Sequence, residues 1–185
     1  IEILCKKNNL RIFNATLNSM NCGSIRYFIC HQNSNFKSNN KSINKCKKYE
    51  KNLGKNKIYL DFKRRIQKTS KKLNLLIKKI NSRKKTIHIY GASTKGNVLI
   101  QYSKINNKNI PYAAERNPLK WNKKMPGSEI PIISEKTSRS MNPDYFLVLP
   151  WHFKDNFIAR EKQFLLNGGK LIFPLPKIEI FSKKN

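Results

Sequence analysis

Acidic side chains are scarce here: 10 Asp and Glu stand against 39 Lys and Arg in 185 residues, a net charge of +29. Such an excess raises the possibility of a polyanionic partner. The kind of base argues otherwise, because 31 of the 39 are Lys and only eight are Arg. The lysines travel with Asn and Ile, as in KSNNKSINKCKKYEKNLGKNK, and these three amino acids share adenine-rich codons that an AT-rich genome inflates together. Phosphate and base readers favour the bidentate fork of Arg. Residues 33–85 carry 19 basic and two acidic residues with few aromatics to stack bases. We read this run as a solvated face and expect no nucleic-acid partner beyond nonspecific charge attraction.

Other absences narrow the class further. No apolar run approaches the ~20 residues of a membrane-spanning helix, and no signal peptide opens the chain, so we expect no membrane partner and a cytoplasmic location. The chain starts Ile-Glu-Ile rather than with methionine, which leads us to expect a C-terminal fragment. Its four cysteines, Cys5, Cys22, Cys30 and Cys46, include no C-x2-C pair and are few for a disulfide scaffold. Reduced thiols and no metal site are the expectation.

What is present is an order of elements. Leu10–Leu17 and Ile25–His31 read as strands joined by the Asn21-Cys22-Gly23-Ser24 turn, a hairpin. Residues 33–50 are polar and aperiodic, hence linker. Phe62, Ile66, Leu73, Leu76, Ile77 and Ile80 recur at helical spacing within 58–80, giving an amphipathic helix with a lysine-rich outer face. Strands at 86–90, 110–114, 145–149 and 170–173 then alternate with helices at 97–104, 134–139 and 153–166. That alternation predicts an α/β fold, a Rossmann-like three-layer parallel sheet. In such a sheet ligands sit beyond the carboxyl ends of the strands. Those ends carry Gly91-Ala92-Ser93-Thr94-Lys95-Gly96, Glu115-Arg116-Asn117 and Pro150-Trp151-His152.

The first of these ends has glycines five apart between a strand and a helix, which suits a phosphate at the helix N-terminus. Asn97 and Val98 follow Gly96 where a Walker loop has Lys-Ser/Thr, and the spacing is not G-x-G-x-x-G. A diphosphate bound without metal is therefore expected, with Gly91 and Gly96 shaping the loop and Ser93, Thr94, Lys95 and Asn97 donating. At the second end Glu115 is placed to accept from a ribose or sugar hydroxyl, and Arg116 to pair with a phosphate. Trp121 or Trp151 can cover a ring. Of the histidines, His88 alternates within a strand and reads as packed, His31 ends a strand, and His152 alone sits where a substrate reaches it, as a contact rather than a base.

HIYGASTKGNVLIQY, YAAERNPLKWNKKMPGSEIPIISE and PDYFLVLPWHFKDNFIAREKQFLLNGGKLIFPLP together closely resemble the C-terminal domain of S-adenosylmethionine-dependent sugar C-methyltransferases, densely over 86–177 and more loosely upstream. Asn21-Cys22-Gly23-Ser24 stands where that family tends to have His-Gly-Gly-Ser. The resemblance implies residues 1–32 as the remnant hairpin of a methyltransferase domain, 33–57 as polar linker, 58–82 as linker helix and 83–185 as a Rossmann-like nucleotide-sugar-binding domain. It implies a thymidine diphosphate (TDP) deoxysugar as the ligand, with Asn117, Lys120 and Pro150 joining the residues above. It also implies proton abstraction beside a keto group and attack of the enolate on the cofactor methyl. The zinc-binding segment, the glycine-rich S-adenosylmethionine turn and the Glu-His base segment of the family are not in this sequence. We therefore expect no catalytic residue here, an inactive fragment, and both cofactors held by a missing upstream part. A stand-alone nucleotide-binding module and a basic nucleic-acid-binding protein remain the alternatives.

Overall fold

The computed structural model describes residues 1–20 and 23–183, so Asn21 and Cys22 of the expected hairpin turn lie outside the described residues. The chain divides into two compact units, Ile1–Phe62 and Lys63–Asn185.

In the first unit α1 (Glu2–Lys7) precedes an antiparallel hairpin of β1 (Leu10–Asn18) and β2 (Ser24–His31). Residues 33–57, expected as linker, contain a helix, α2 (Asn40–Glu50). Two anchors explain it. Asn39 caps the helix by accepting from the Ser42 amide at 3.1 Å, and the Ser42 hydroxyl donates to Asn14 of β1 at 2.6 Å. Cys46 is then buried, as are Cys5 of α1 and Ala15 of β1. Cys5, Cys30 and Cys46 are free thiols. The long helix α3 (Asn56–Ser82) overruns its expected 58–80 by two residues at each end, and the boundary between the units falls within it.

The second unit is α/β. Its six strands are β3 (Ile87–Tyr90), β4 (Ala113–Glu115), β5 (Ile132–Ser134), β6 (Tyr145–Val148), β7 (Lys170–Phe173) and β8 (Glu179–Phe181). They lie in the order β5-β4-β3-β6-β7-β8, parallel except for β8, which pairs antiparallel with β7. The expected all-parallel sheet is thus mixed, and β5 and β8 are additions to the four expected strands. Each has only three residues, too few to show a period. Helices α4 (Thr94–Tyr102), α5 (Glu135–Ser140), α6 (Lys154–Arg160) and α7 (Lys162–Leu166) complete the unit. A single helix was expected over 153–166, but it breaks at Glu161, whose backbone leaves the helical region at φ −94°, ψ 25°.

Two cores sandwich the sheet. Ile87, Ile89, Leu147 and Ile172 pack with Leu73, Ile77 and Ile80 of α3 and with Leu99 and Ile100 of α4. Half of the expected linker helix is therefore core of this unit. Tyr90, Phe146, Val148, Leu171 and Phe173 point the other way, against Phe157 and Ile158 of α6 and Leu165 of α7. Burial on both sides explains why the strands read as continuous apolar runs. This is a Rossmann-like fold. Among the described residues no helix is long and apolar enough to cross a membrane.

His88 shares the second face. It is buried, its Nδ1 lies 2.8 Å from Ser138 Oγ, and the Tyr112 ring meets it edge-on at 5.4 Å. Burial pushes its pKa down from 6.5 to about 4. The unfolded chain then binds the proton first, so the contribution of His88 to stability is complete above pH 6.5 and declines as pH falls towards 4. We expect about 2–3 kcal/mol of the stability lost between pH 7 and pH 4.5 to vanish from the pH profile of His88→Gln, read by urea denaturation. Parallel profiles for the two proteins would contradict this.

Candidate functional site

The carboxyl ends of β3, β4 and β6 converge at one edge of the second unit. Gly91 follows β3 with φ +83°, in the left-handed region where glycine alone is comfortable. A Cβ there would also lie 2.8 Å from Pro150 Cγ, so the β6 end packs directly on the turn. Ser93 begins α4 as its cap, accepting from the Gly96 amide at 3.1 Å.

The two glycines shape the turn by backbone conformation and packing rather than through their amides. The Gly91 N–H donates to Ala114 O at 2.8 Å and the Gly96 N–H to Ser93, so neither is offered outward. Gly96 is a packing glycine: a Cβ on it would stand 2.4 Å from Leu149 Cβ. Gly96→Ala should cost about 1–3 kcal/mol by overpacking, measured by thermal or urea unfolding. Stability equal to the parent would mean that Leu149 yields freely. What this edge retains for a ligand is the start of α4 itself, whose N-terminal partial positive charge favours an anion.

Glu115, at the end of β4, is a strut. Its Oε2 accepts from the Ala92 amide at 2.9 Å and from Lys120 Nζ at 3.4 Å, and its Oε1 accepts from the Arg116 and Asn117 amides at 2.9 and 3.0 Å. Four donors fill the roughly four acceptor positions of a carboxylate. The expected acceptance from a ribose or sugar hydroxyl is therefore pre-empted by the protein itself. Burial alone would raise the pKa of this carboxyl, but the Asn117 amide, the Lys120 ammonium and the Arg116 amide together hold it below the ordinary Glu value. Lys120 also donates to Ala92 O at 2.9 Å, so Ala92 is gripped at both its N–H and its C=O from the β4 end.

The remaining expected residues distribute around this clamp. Asn117 caps a short 3-10 turn through Leu119 N, and the Trp121 indole N–H donates to Glu115 O at 2.8 Å, leaving its ring half exposed. Arg116 is exposed. Trp151 packs against both cores, which makes it a wedge at the sheet edge. His152 follows it, with burial first and the Lys95 charge second holding its pKa below the ordinary value, so it is neutral at pH 7. Its Nδ1 and the Asn97 Oδ1 are buried without a hydrogen-bond partner. The sequence reading missed Ser134, which ends β5 beside Glu115 and caps α5 through the Thr137 amide at 2.9 Å. Its signal was a Ser directly before a helical stretch. Among the described residues no group of three or more His, Cys, Asp or Glu could hold a metal ion.

A family model described as the C-methyltransferase C-terminal domain matches residues 19–176. The chain belongs to this family. It is also 32% identical over 127 residues to the C-methyltransferase NovU of Streptomyces niveus, an alignment that takes in 69% of this chain and 30% of that protein. The chain thus spans under a third of the length of the curated relative it matches. The matched range begins before β2 and takes in α2 and α3.

Proposed function

We propose that this chain is the substrate-binding part of an S-adenosylmethionine-dependent sugar C-methyltransferase, and that the carboxyl edge of its sheet holds a nucleotide-linked deoxysugar, a TDP-sugar, by the diphosphate. The observation that carries the reading is the clamped start of α4, where Ala92 is fixed by Glu115 and Lys120 directly ahead of the helix. A helix start held rigid before the ligand arrives binds an anion without an ordering cost at that moment. Ser93, Thr94 and Lys95 meet the diphosphate. Arg116 and the rings of Trp121 and Trp151 lie around it, and neutral His152 offers a hydrogen bond rather than a charge.

S-adenosylmethionine supplies an electrophilic methyl group when bound. Glu115, the carboxylate at the end of β4, does not fit its ribose, because four protein donors already occupy it. We assign that cofactor, and the zinc, to other parts of a longer cytoplasmic parent, and this chain alone is catalytically inert. Calorimetric titration with a TDP-deoxysugar and with duplex DNA, each at low and high salt, tests the reading. Saturable binding of the sugar with modest salt dependence is expected. A steep salt slope with DNA and no sugar binding would overturn it in favour of a nucleic-acid surface.

A further inference from the structure

Behind the carboxyl edge, on the face of the sheet away from α3 and α4, four elements meet at Tyr90. Its hydroxyl donates to Glu161 Oε1 at 2.7 Å. Arg139 of α5 donates to the Tyr90 oxygen and to Glu161 Oε1, each at 2.7 Å. Arg160 of α6 donates to the same Tyr90 oxygen and, at 2.9 Å, to Glu135 of α5. Tyr90 is 1% exposed and Glu161 3%. Burial first and Glu161 second push the tyrosine pKa up, so the hydroxyl stays protonated. A cavity of about 380 Å³ adjoins the cluster, lined by Arg139, Arg160, Asp144 and Glu161. Two cations face two anions there, so the charge is satisfied within the protein rather than offered to an ion.

The members of this cluster stand at the roots of the site. Tyr90 immediately precedes Gly91. Glu135 follows Ser134 at the end of β5, and α6 begins directly after the Trp151–Phe153 turn. One hydroxyl thus joins the strand that launches the first loop to the helices that follow two others. Such shared hydrogen bonds are stiff, since each partner fixes the others.

We infer that Tyr90 and Glu161 are positioning residues, which fix the Gly91–Asn97 and Pro150–Phe153 segments from behind the sheet. The consequence for binding rests on the nucleotide-sugar reading; the consequence for the loops does not. Tyr90→Phe keeps the ring against Phe146 and Phe157 and removes only the hydroxyl. In this variant, amide exchange of 91–97 and 151–153 should speed up about tenfold while α3 amides at 73–80 keep the parent rate. TDP-sugar affinity should fall about fivefold or more. Loop exchange unchanged from the parent, or α3 accelerating as much as the loops, overturns the assignment. A parent that binds no TDP-sugar sinks the proposed function, and the exchange comparison still decides the positioning claim. Should Tyr90→Phe fail to fold, Arg160→Lys keeps the charge, removes the branched donor and faces the same two outcomes.

Discussion

Glu161→Ala is expected to lower the free energy of unfolding by about 3–5 kcal/mol, because it breaks a buried charge cluster from one side. Glu161 is 3% exposed and receives Tyr90 and Arg139, with Arg160 Nε at 3.4 Å. Without the carboxylate two guanidiniums remain, with Glu135 as their carboxylate, and the Tyr90 hydroxyl loses its acceptor against an apolar sheet face. Glu161→Gln keeps the shape and one acceptor oxygen, so about half the loss is expected. Urea denaturation of the two variants beside the parent checks both values. A loss under about 1 kcal/mol for Glu161→Ala would mean that the cluster is solvated and contributes little.

Glu115→Ala should act on stability and on binding together. Three backbone amides lose their acceptor, and the Lys120 ammonium is left with Ala92 O. Water can reach part of this edge, so the stability cost is set at about 2–3 kcal/mol rather than the sum of four bonds. With Ala92 released on one side the start of α4 loosens, and TDP-sugar affinity should drop about tenfold or more, since the ordering cost returns. The pH dependence has a definite sign. The folded carboxyl has a lowered pKa, so its contribution is complete above the unfolded value of 4.5 and fades as pH falls below that. Parent-like stability and affinity in Glu115→Ala would show that the clamp is incidental to the site.

The parts of this molecule that were legible in the sequence are those governed by local rules. Gly91 at a strand end, the apolar runs of β3, β6 and β7 and the i, i+3, i+4 stripe of α3 follow from periodicity and turn chemistry alone. The hidden parts depend on partners distant in the chain. α2 looked like linker because Asn and Lys dominate it, and it is anchored by Ser42 reaching Asn14, 28 residues away. β5 and β8 borrow their extended form from neighbouring strands. Glu115 was placed at the end of β4, but the donor that makes it a clamp, the Ala92 amide, lies 23 residues away and only the fold brings it there. The cluster at Tyr90 was invisible for the same reason, since Arg139 and Glu161 lie 49 and 71 residues from it.

The most direct test of the account is a nitrogen-edited NMR titration of the chain with a TDP-deoxysugar. The account predicts saturable shifts of the Ala92, Ser93, Thr94 and Lys95 amides and of the Trp121 and Trp151 indoles, with the α3 amides at 63–82 unmoved. Shifts confined to the lysine-rich face of α3, or no saturable shifts between Gly91 and Asn97, would contradict it.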